Sequence, residues 1–443
     1  MPTVKEMKAS VRAEIERRSD EIIAVADSVL RTPEPGFKEV KTARFVAAKL
    51  RELGISCRTG LAITGIKAVL AGGAPGPTVA VIGELDSLVI PDHPNADPKT
   101  GAAHACGHNA QVAMLIGVAA ALKNSGVMPH LAGRVALIAA PAEEYIELEY
   151  RQSLRRAGKI QYLGGKAELV RLGEFDDVDM AMMTHTASLP KGKKVMMGGT
   201  SNGTLAKQVQ FIGKAAHAGG SPHLGINALN AANIALMAIN AQRETFRDTD
   251  TVRVHPIITH GGEAVNIVPS DVRLETFVRG KTLEAIKDAN GKVDRAIRAG
   301  ALAVGARVKI ATLPGYMPLA NNPALQEVYR KNAAALHGRN AIIPAGTHGT
   351  GSTDMGDLSQ IMPAIHPMAG GIKGQAHGND YEVDDPQLAI ISPATIMAMT
   401  VIDLLANGAK KAKGIIGGSK PALTKAESLK LTDSMLKEEE YQG

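Results

Sequence analysis

The chain has 443 residues, 45% hydrophobic and 21% charged, with a net charge of +6. That length exceeds one ordinary domain, and that balance belongs to a folded globular chain rather than a disordered one. Aromatic residues are 3%, Trp is absent and the basic residues are scattered, which argues against a base-stacking surface and a nucleic-acid partner.

The first 20 residues are charged and lack the apolar centre of a signal peptide, and no uninterrupted apolar run approaches the ~18 residues of a membrane span. The two cysteines, Cys57 and Cys106, are too few for a disulfide framework. The expected compartment is the cytoplasm, with no membrane partner.

Lys5 to Leu30 reads as one charged amphipathic helix, stopped by Pro33 and Pro35, and a second helix spans Val40 to Leu53 before Gly54. Three β-branched or apolar runs follow: Thr78–Gly83, Arg134–Ala140 and Asp179–Met183. Runs of this length, separated by helical stretches such as Ala110–Leu122, fit buried strands of an α/β sheet. Each run is followed by chemistry-bearing residues: Glu84 and Asp86, Glu143 and Glu144, and His185. Ligand sites of such sheets lie at the carboxyl ends of the strands, so these residues are candidates for one site.

From Leu205 the pattern changes. Strand-like, helical and strand-like stretches alternate as β-α-β-β-α-β through Leu313, the order of a ferredoxin-like unit. This predicts an α/β fold class: a catalytic domain with a mixed central sheet flanked by helices, interrupted by an inserted α+β domain. The expected boundaries are 1–199, 200–313 and 314–443, with hinges at Gly198-Gly199 and Pro314-Gly315 and a polar, peripheral C-terminal tail. After Pro314 come a Gly/Thr/Ser-rich loop with His348, Gly351 and Asp354, a loop with His377, and a helix over Ser392–Leu405.

Cys106 and His108 lie two residues apart before an apolar helix, and Asn109 is the expected N-cap that pins them. Thiolate and imidazole suit zinc and related ions. Glu143 and Glu144 are adjacent carboxylates, so one can bind metal while the other acts as general base. With His185 and His377 the chain offers five ligands, a number that suits two ions. Taken singly, each of these residues also fits an ordinary surface or core position. His217, in a small-residue loop after a strand, Asn266, before Pro269, and Arg279, at a strand end, equally fit turn and surface positions; Arg carries the fork that matches a carboxylate.

Together the segments GELDSL (83–88), HACGHN (104–109), PAEE (141–144), THTA (184–187), GKAAHAGGSP (213–222), NIVPSDVRLETFVRG (266–280) and AHGNDYEVDD (376–385) resemble the M20 metallopeptidase and amidohydrolase family. The nearest likeness is to its branch of aminoacylases, indole-acetyl-amino-acid hydrolases and p-aminobenzoyl-glutamate hydrolase. The resemblance implies two divalent ions (zinc, manganese or cobalt) held by Cys106, His108, Glu144, His185 and His377, with Cys106 bridging. It implies Glu143 as general base toward a metal-bridged water, and His217 reaching across a homodimer to stabilise the oxyanion. Asn266, Arg279 and the wall Gly351–Asp354 would face substrate, and Glu84, Asp86 and Asn109 would support the ligands. The implied substrate is an N-acyl or N-aroyl amino acid or small dipeptide with a free carboxylate; the alternative is a non-catalytic metal- or amino-acid-binding descendant. Two departures stand out. Asn109 replaces the usual aspartate, and Tyr145–Tyr150 replaces a Gly-rich stretch after the second glutamate.

Overall fold

A computed structural model describes residues 2–346 and 348–443. It divides into two compact units. The larger comprises the described residues of Met1–Gly199, Ala320–Thr347 and Asp357–Thr424; the smaller comprises Thr200–Leu319, His348–Gly356 and Lys425–Gly443.

The larger unit is built on a six-stranded mixed sheet. Its members are β1 (Cys57–Leu61), β2 (Gly65–Ala71), β3 (Ala74–Glu84), β4 (Ala132–Ala140), β5 (Met180–Met182) and the short strand Ala364–Ile365, in the order β1-β2-β4-β3-β5-(364–365). The β1-β2 and β2-β4 pairs are antiparallel, and the remaining pairs are parallel. Four parallel strands therefore end on one edge, with Glu84 in register with Ala140. Their Val, Ile, Ala and Met side chains are buried, as expected for strands covered on both faces.

Helices α1 (Val4–Arg17), α2 (Ser19–Leu30), α3 (Val40–Glu52) and α4 (His108–Asn124) cover this sheet together with Pro323–His337 and Ser392–Gly418. The single N-terminal helix expected from the sequence is in fact two. Arg18 leaves helical geometry at φ −102°, ψ 11°, and Asp20 and Glu21 supply the acidic first turn of α2. The break lets α1 pack on Ser392–Gly418 while α2 packs on α4. Gln387–Gly418 is long and apolar enough to cross a membrane, but 89% of its apolar window is buried inside the protein. It is a core helix, and it kinks at Ala406–Ala409, one residue beyond the expected Leu405 end.

The smaller unit is the expected ferredoxin-like arrangement. Strands β6 (Gly203–Ile212), β7 (Arg253–Val254), β8 (Ile257–His260), β9 (Asp271–Gly280) and β10 (Arg307–Pro314) form its sheet, and α7 (Ala228–Ala241) and α8 (Leu283–Val304) cover one face; α5 (Leu148–Arg156) and α6 (Gly165–Arg171) belong to the larger unit. The inserted segment does not close the unit alone. Lys425–Gly443, expected as a peripheral tail of the first domain, belongs here: β11 (Lys437–Tyr441) pairs antiparallel with β10, and Arg307 bonds Glu440 at 2.9 Å. The alternation Lys-Glu-Glu-Glu-Tyr is too polar to reveal itself as a strand; its partner, rich in Lys and Arg, supplies the complement.

Candidate metal centre

The four parallel strands deliver their carboxyl ends to one place. β3 ends in Glu84 and leads to Asp86, β4 leads to Glu143 and Glu144, β5 leads to His185, and the strand Ala364–Ile365 leads to His366. The fifth contribution is the turn before α4. Gly107 takes φ 90°, and a Cβ there would collide with Thr186 Oγ1 and Tyr381 Oη. This left-handed residue is the N-cap, so Asn109 is not; it lies inside the first turn of α4 and is buried, with Oδ1 lacking a partner. The turn aims Cys106 and His108 inward without any side-chain cap. His377 arrives on the loop before α-helical Ser392–Gly418, held at φ 66° by its N–H donating to Ala105 O at 2.8 Å.

The ligand atoms of Cys106, His108 and His185 lie within 4.8 Å of one another, and so do those of Cys106, Glu144 and His377. Cys106 is common to both groups, the relation a bridging ligand bears to two ions. Its Sγ is 3.3 Å from His185 Nε2, and His377 Nε2 is 3.4 Å from Glu144 Oε1. A third group of Glu84, His108 and Glu143 meets the same limit, which sets the Glu143 carboxyl beside the first. His108 Nε2 and Glu144 Oε1 are buried, and each faces one group of the centre, Glu84 Oε2 at 3.0 Å and His377 Nε2 at 3.4 Å, without a well-aligned hydrogen bond. Such contacts leave buried polar atoms poorly satisfied, and a cation among these donors would satisfy both. The soft and borderline donor set fits such an ion.

Supporting contacts fix the donors. His108 Nδ1 donates to Asp86 O at 2.9 Å, which leaves Nε2 facing the centre, and Asp86 Oδ2 accepts from Glu144 N at 2.8 Å. His185 Nδ1 is likewise engaged by Thr186 O at 2.7 Å. Glu84 accepts from buried Lys166 at 2.5 Å and from Gln111 at 2.8 Å. Burial disfavours its charge, yet Lys166, His108 and His185 outweigh that and keep it ionised. Burial also opposes the charge of Glu144, but His377 holds its carboxyl at about 2. Burial, reinforced by Glu144, pushes the Cys106 thiol up; burial opposes a charged His108, but Glu84 and Cys106 raise it well above the usual histidine range.

The segment carrying the two glutamates is clamped from both sides. Glu39 Oε1 accepts from Ala142 N at 2.8 Å, at a residue with φ 53°. Fully buried Arg151 donates to the carbonyls of Ala142 (3.2 Å), Leu163 (2.6 Å) and Glu144, and lies against the rings of Phe37 and Tyr145. Burial, with Asp86 nearby, raises the Glu39 carboxyl to about 8. Lys166, Arg151, Glu39 and His366 escaped the sequence reading. His366 alone carried a signal, since it follows a strand as His185 does, but that strand has only two residues.

In the smaller unit, His217 and Asn266 are brought together: His217 pairs with Ile267 as an antiparallel bridge and Ala218 N donates to Asn266 O at 3.0 Å. His217 Nδ1 accepts from the N–H groups of Gly219 and Gly220, so its neutral ring carries the proton on Nε2. Arg279 is not with them. It sits at the far end of β9, eight residues beyond Asp271, or about 26 Å along the strand. Gly351 is exposed, whereas Asp354 is fully buried beside the helix Met355–Ile361, so its side chain offers no surface to a substrate as expected from the sequence.

A mixed α/β sheet whose strand ends gather Cys, His and Glu around shared positions, in a chain that also folds a ferredoxin-like unit, defines a metal-dependent hydrolase of two-unit architecture. Residues 80–397 match the model of peptidase family M20/M25/M40. Among curated proteins the chain is 30% identical to the Xaa-Arg dipeptidase of Mus musculus, over 74% of this chain and 70% of that one. It is also 30% identical to thermostable carboxypeptidase 2 of Saccharolobus solfataricus, over 76% and 82%. Among solved structures, an aminobenzoyl-glutamate utilization protein from Klebsiella pneumoniae shares the fold at TM-score 0.67 and 22% identity, covering 88% of this chain and 97% of that one. A dinuclear metal-binding M20 peptidase of Bacillus subtilis does so at TM-score 0.63 and 20% identity, covering 88% and 99%. The chain belongs to the M20 family. It is a hydrolase of amide bonds in amino-acid or peptide-like substrates, dependent on metal.

Proposed function

We propose that this protein hydrolyses the amide bond of N-acyl or N-aroyl amino acids, or of small dipeptides, that carry a free carboxylate. The observation that carries the reading is Cys106, shared by two ligand groups with the Glu143 carboxyl alongside. Two divalent ions held by Cys106, His108, Glu144, His185 and His377 would polarise the amide carbonyl and acidify an attacking water. Zinc suits the thiolate and imidazole donors, with manganese or cobalt as working alternatives.

Glu143 takes the proton of the attacking water and passes it to the leaving nitrogen. The C–N bond breaks, the hydroxyl stays on the acyl carbon and the amine departs protonated. His217, with its proton on Nε2, is the donor for the carbonyl oxygen as it becomes negative. Asn266 and Arg279 hold the substrate carboxylate, and Gly351 borders the substrate. Because His217 and Arg279 stand at opposite ends of one sheet, their joint action on one substrate calls for two copies of the chain. The exposed Ile257 and Ile258 on edge strand β8, with exposed Leu224, Val265 and Ile267, support a homodimer. The cytoplasm is the proposed compartment; both cysteines are free thiols.

The test is turnover of an N-acyl-amino-acid and dipeptide panel by zinc- or manganese-loaded protein, with Glu143→Gln alongside. The expected result is hydrolysis by the wild type and a loss of about a thousandfold in kcat for the variant, with metal retained. Full activity in Glu143→Gln would remove it from the base role. A metal-loaded wild type that binds the panel without cleaving it would leave the non-catalytic binding reading.

A further inference from the structure

A cavity of about 450 Å³ opens in the larger unit, lined by Pro35, Lys38, Leu88, Val89, Thr100, Ile146 and Glu147. That size is within the range of small-ligand pockets, roughly 300–1,000 Å³. Two short steps of chain tie its lining to the metal centre. Leu88 is two residues beyond Asp86, which orients His108, and Ile146 is two beyond Glu144. Both side chains belong to the apolar cluster that includes Ala105, Cys106 and Tyr381. One wall is therefore made by the stretch Tyr145–Tyr150, where this chain departs from its relatives.

The chemistry of the lining restricts the occupant. Its cation, Lys38, is bonded to Glu147 Oε1 at 2.6 Å and lies 4.3 Å over the Tyr150 ring. A substrate carboxylate entering here would meet an already neutralised lysine, the anion of Glu147 and apolar side chains. The half of the substrate without charge meets no such penalty, because Leu88, Val89, Ile146 and Pro35 offer it surface that leaves water on binding.

We infer that this cavity is the acyl subsite, and that it selects an uncharged apolar acyl group several carbons long over acetyl. Ile146 and Val89 are the specificity-determining side chains of its lining. The inference rests on the amide-hydrolase reading above.

The test measures kcat/KM of the metal-loaded protein on N-acetyl-, N-hexanoyl- and N-octanoyl-methionine. The wild type should prefer octanoyl to acetyl by at least about tenfold, since each buried methylene adds several-fold. Ile146→Trp, which fills the cavity, and Val89→Asp, which charges its lining, should each lower the octanoyl-to-acetyl ratio by about tenfold with an unchanged Tm. Both positions are partly exposed, so the lining is probed without opening the core. Hydrolysis of all three substrates with a flat ratio in the wild type, or ratios within twofold of wild type in both variants, overturns the acyl subsite and leaves the amide-hydrolase reading standing. Failure to hydrolyse any of the three, together with failure on every dipeptide tried, overturns that reading and the subsite with it.

Discussion

At the sheet edge of the larger unit, Glu84, His108, Glu144 and Lys166 are buried, and each is braced by groups distant in sequence. In the smaller unit His217 and Asn266 stand exposed on loops held by main-chain bonds, and its buried ion pair, Lys207 with Asp294 at 2.6 Å, lies under the helices away from either loop. On the proposed function, the difference matches two tasks to two kinds of structure. Metal ligands need fixed geometry and protection from water, so they are paid for with a network of satisfied polar contacts. Residues that meet a substrate late must stay accessible, and main-chain anchoring is enough to set their orientation.

The contrast breaks most sharply at Arg151. Its replacement by Met removes a donor from each of three buried carbonyls and leaves that of Leu163 with none, since Ala142 O and Glu144 O keep the N–H groups of Gly165 and Ile146, and should destabilise the protein by roughly 2–3 kcal/mol in urea unfolding. Arg279→Met, on the half-exposed end of β9, should stay within about 1 kcal/mol. Equal effects would erase the distinction between the units.

A pH titration sharpens it. Burial lowers His104 and His366 to about 3, from an ordinary value near 6.5. Between these values each of the two rings binds more protons in the unfolded chain than in the folded one, so the stability these rings contribute is present above about pH 6.5 and is lost as pH falls toward 3. Chelated protein should show that loss, and His104→Gln should make the slope shallower. A slope that His104→Gln leaves unchanged would contradict the burial of that ring in neutral form.

The smallest stability effect is expected at His217. His217→Ala should change unfolding free energy by no more than about 0.5 kcal/mol while lowering kcat about a hundredfold. A large stability change would mean that the loop is structural.

Much of this arrangement is written locally. Apolar runs ending in Glu84, Glu143-Glu144 and His185 announce parallel strands and their site, and the alternation from Leu205 to Leu313 announces the second unit. The rest depends on distance. Lys166 meets Glu84 82 positions away, and Glu39 meets Ala142 103 positions away; neither helix carries any mark of its partner. The capping role expected of Asn109 fails because Gly107 takes the left-handed conformation one residue before the helix begins, at a place where Thr186 and Tyr381, both far along the chain, leave no room for a Cβ. The tail strand Lys437–Tyr441 is likewise invisible until its basic partner is beside it.

The most direct measurement is metal content per chain, by elemental analysis of protein purified without chelator, for the wild type, Cys106→Ala and His377→Ala. Because Cys106 is common to both ligand groups, the account predicts about two ions in the wild type, one in His377→Ala and loss of both in Cys106→Ala. A wild type that holds no metal after dialysis against zinc or manganese, or a Cys106→Ala protein that keeps two ions, would contradict it.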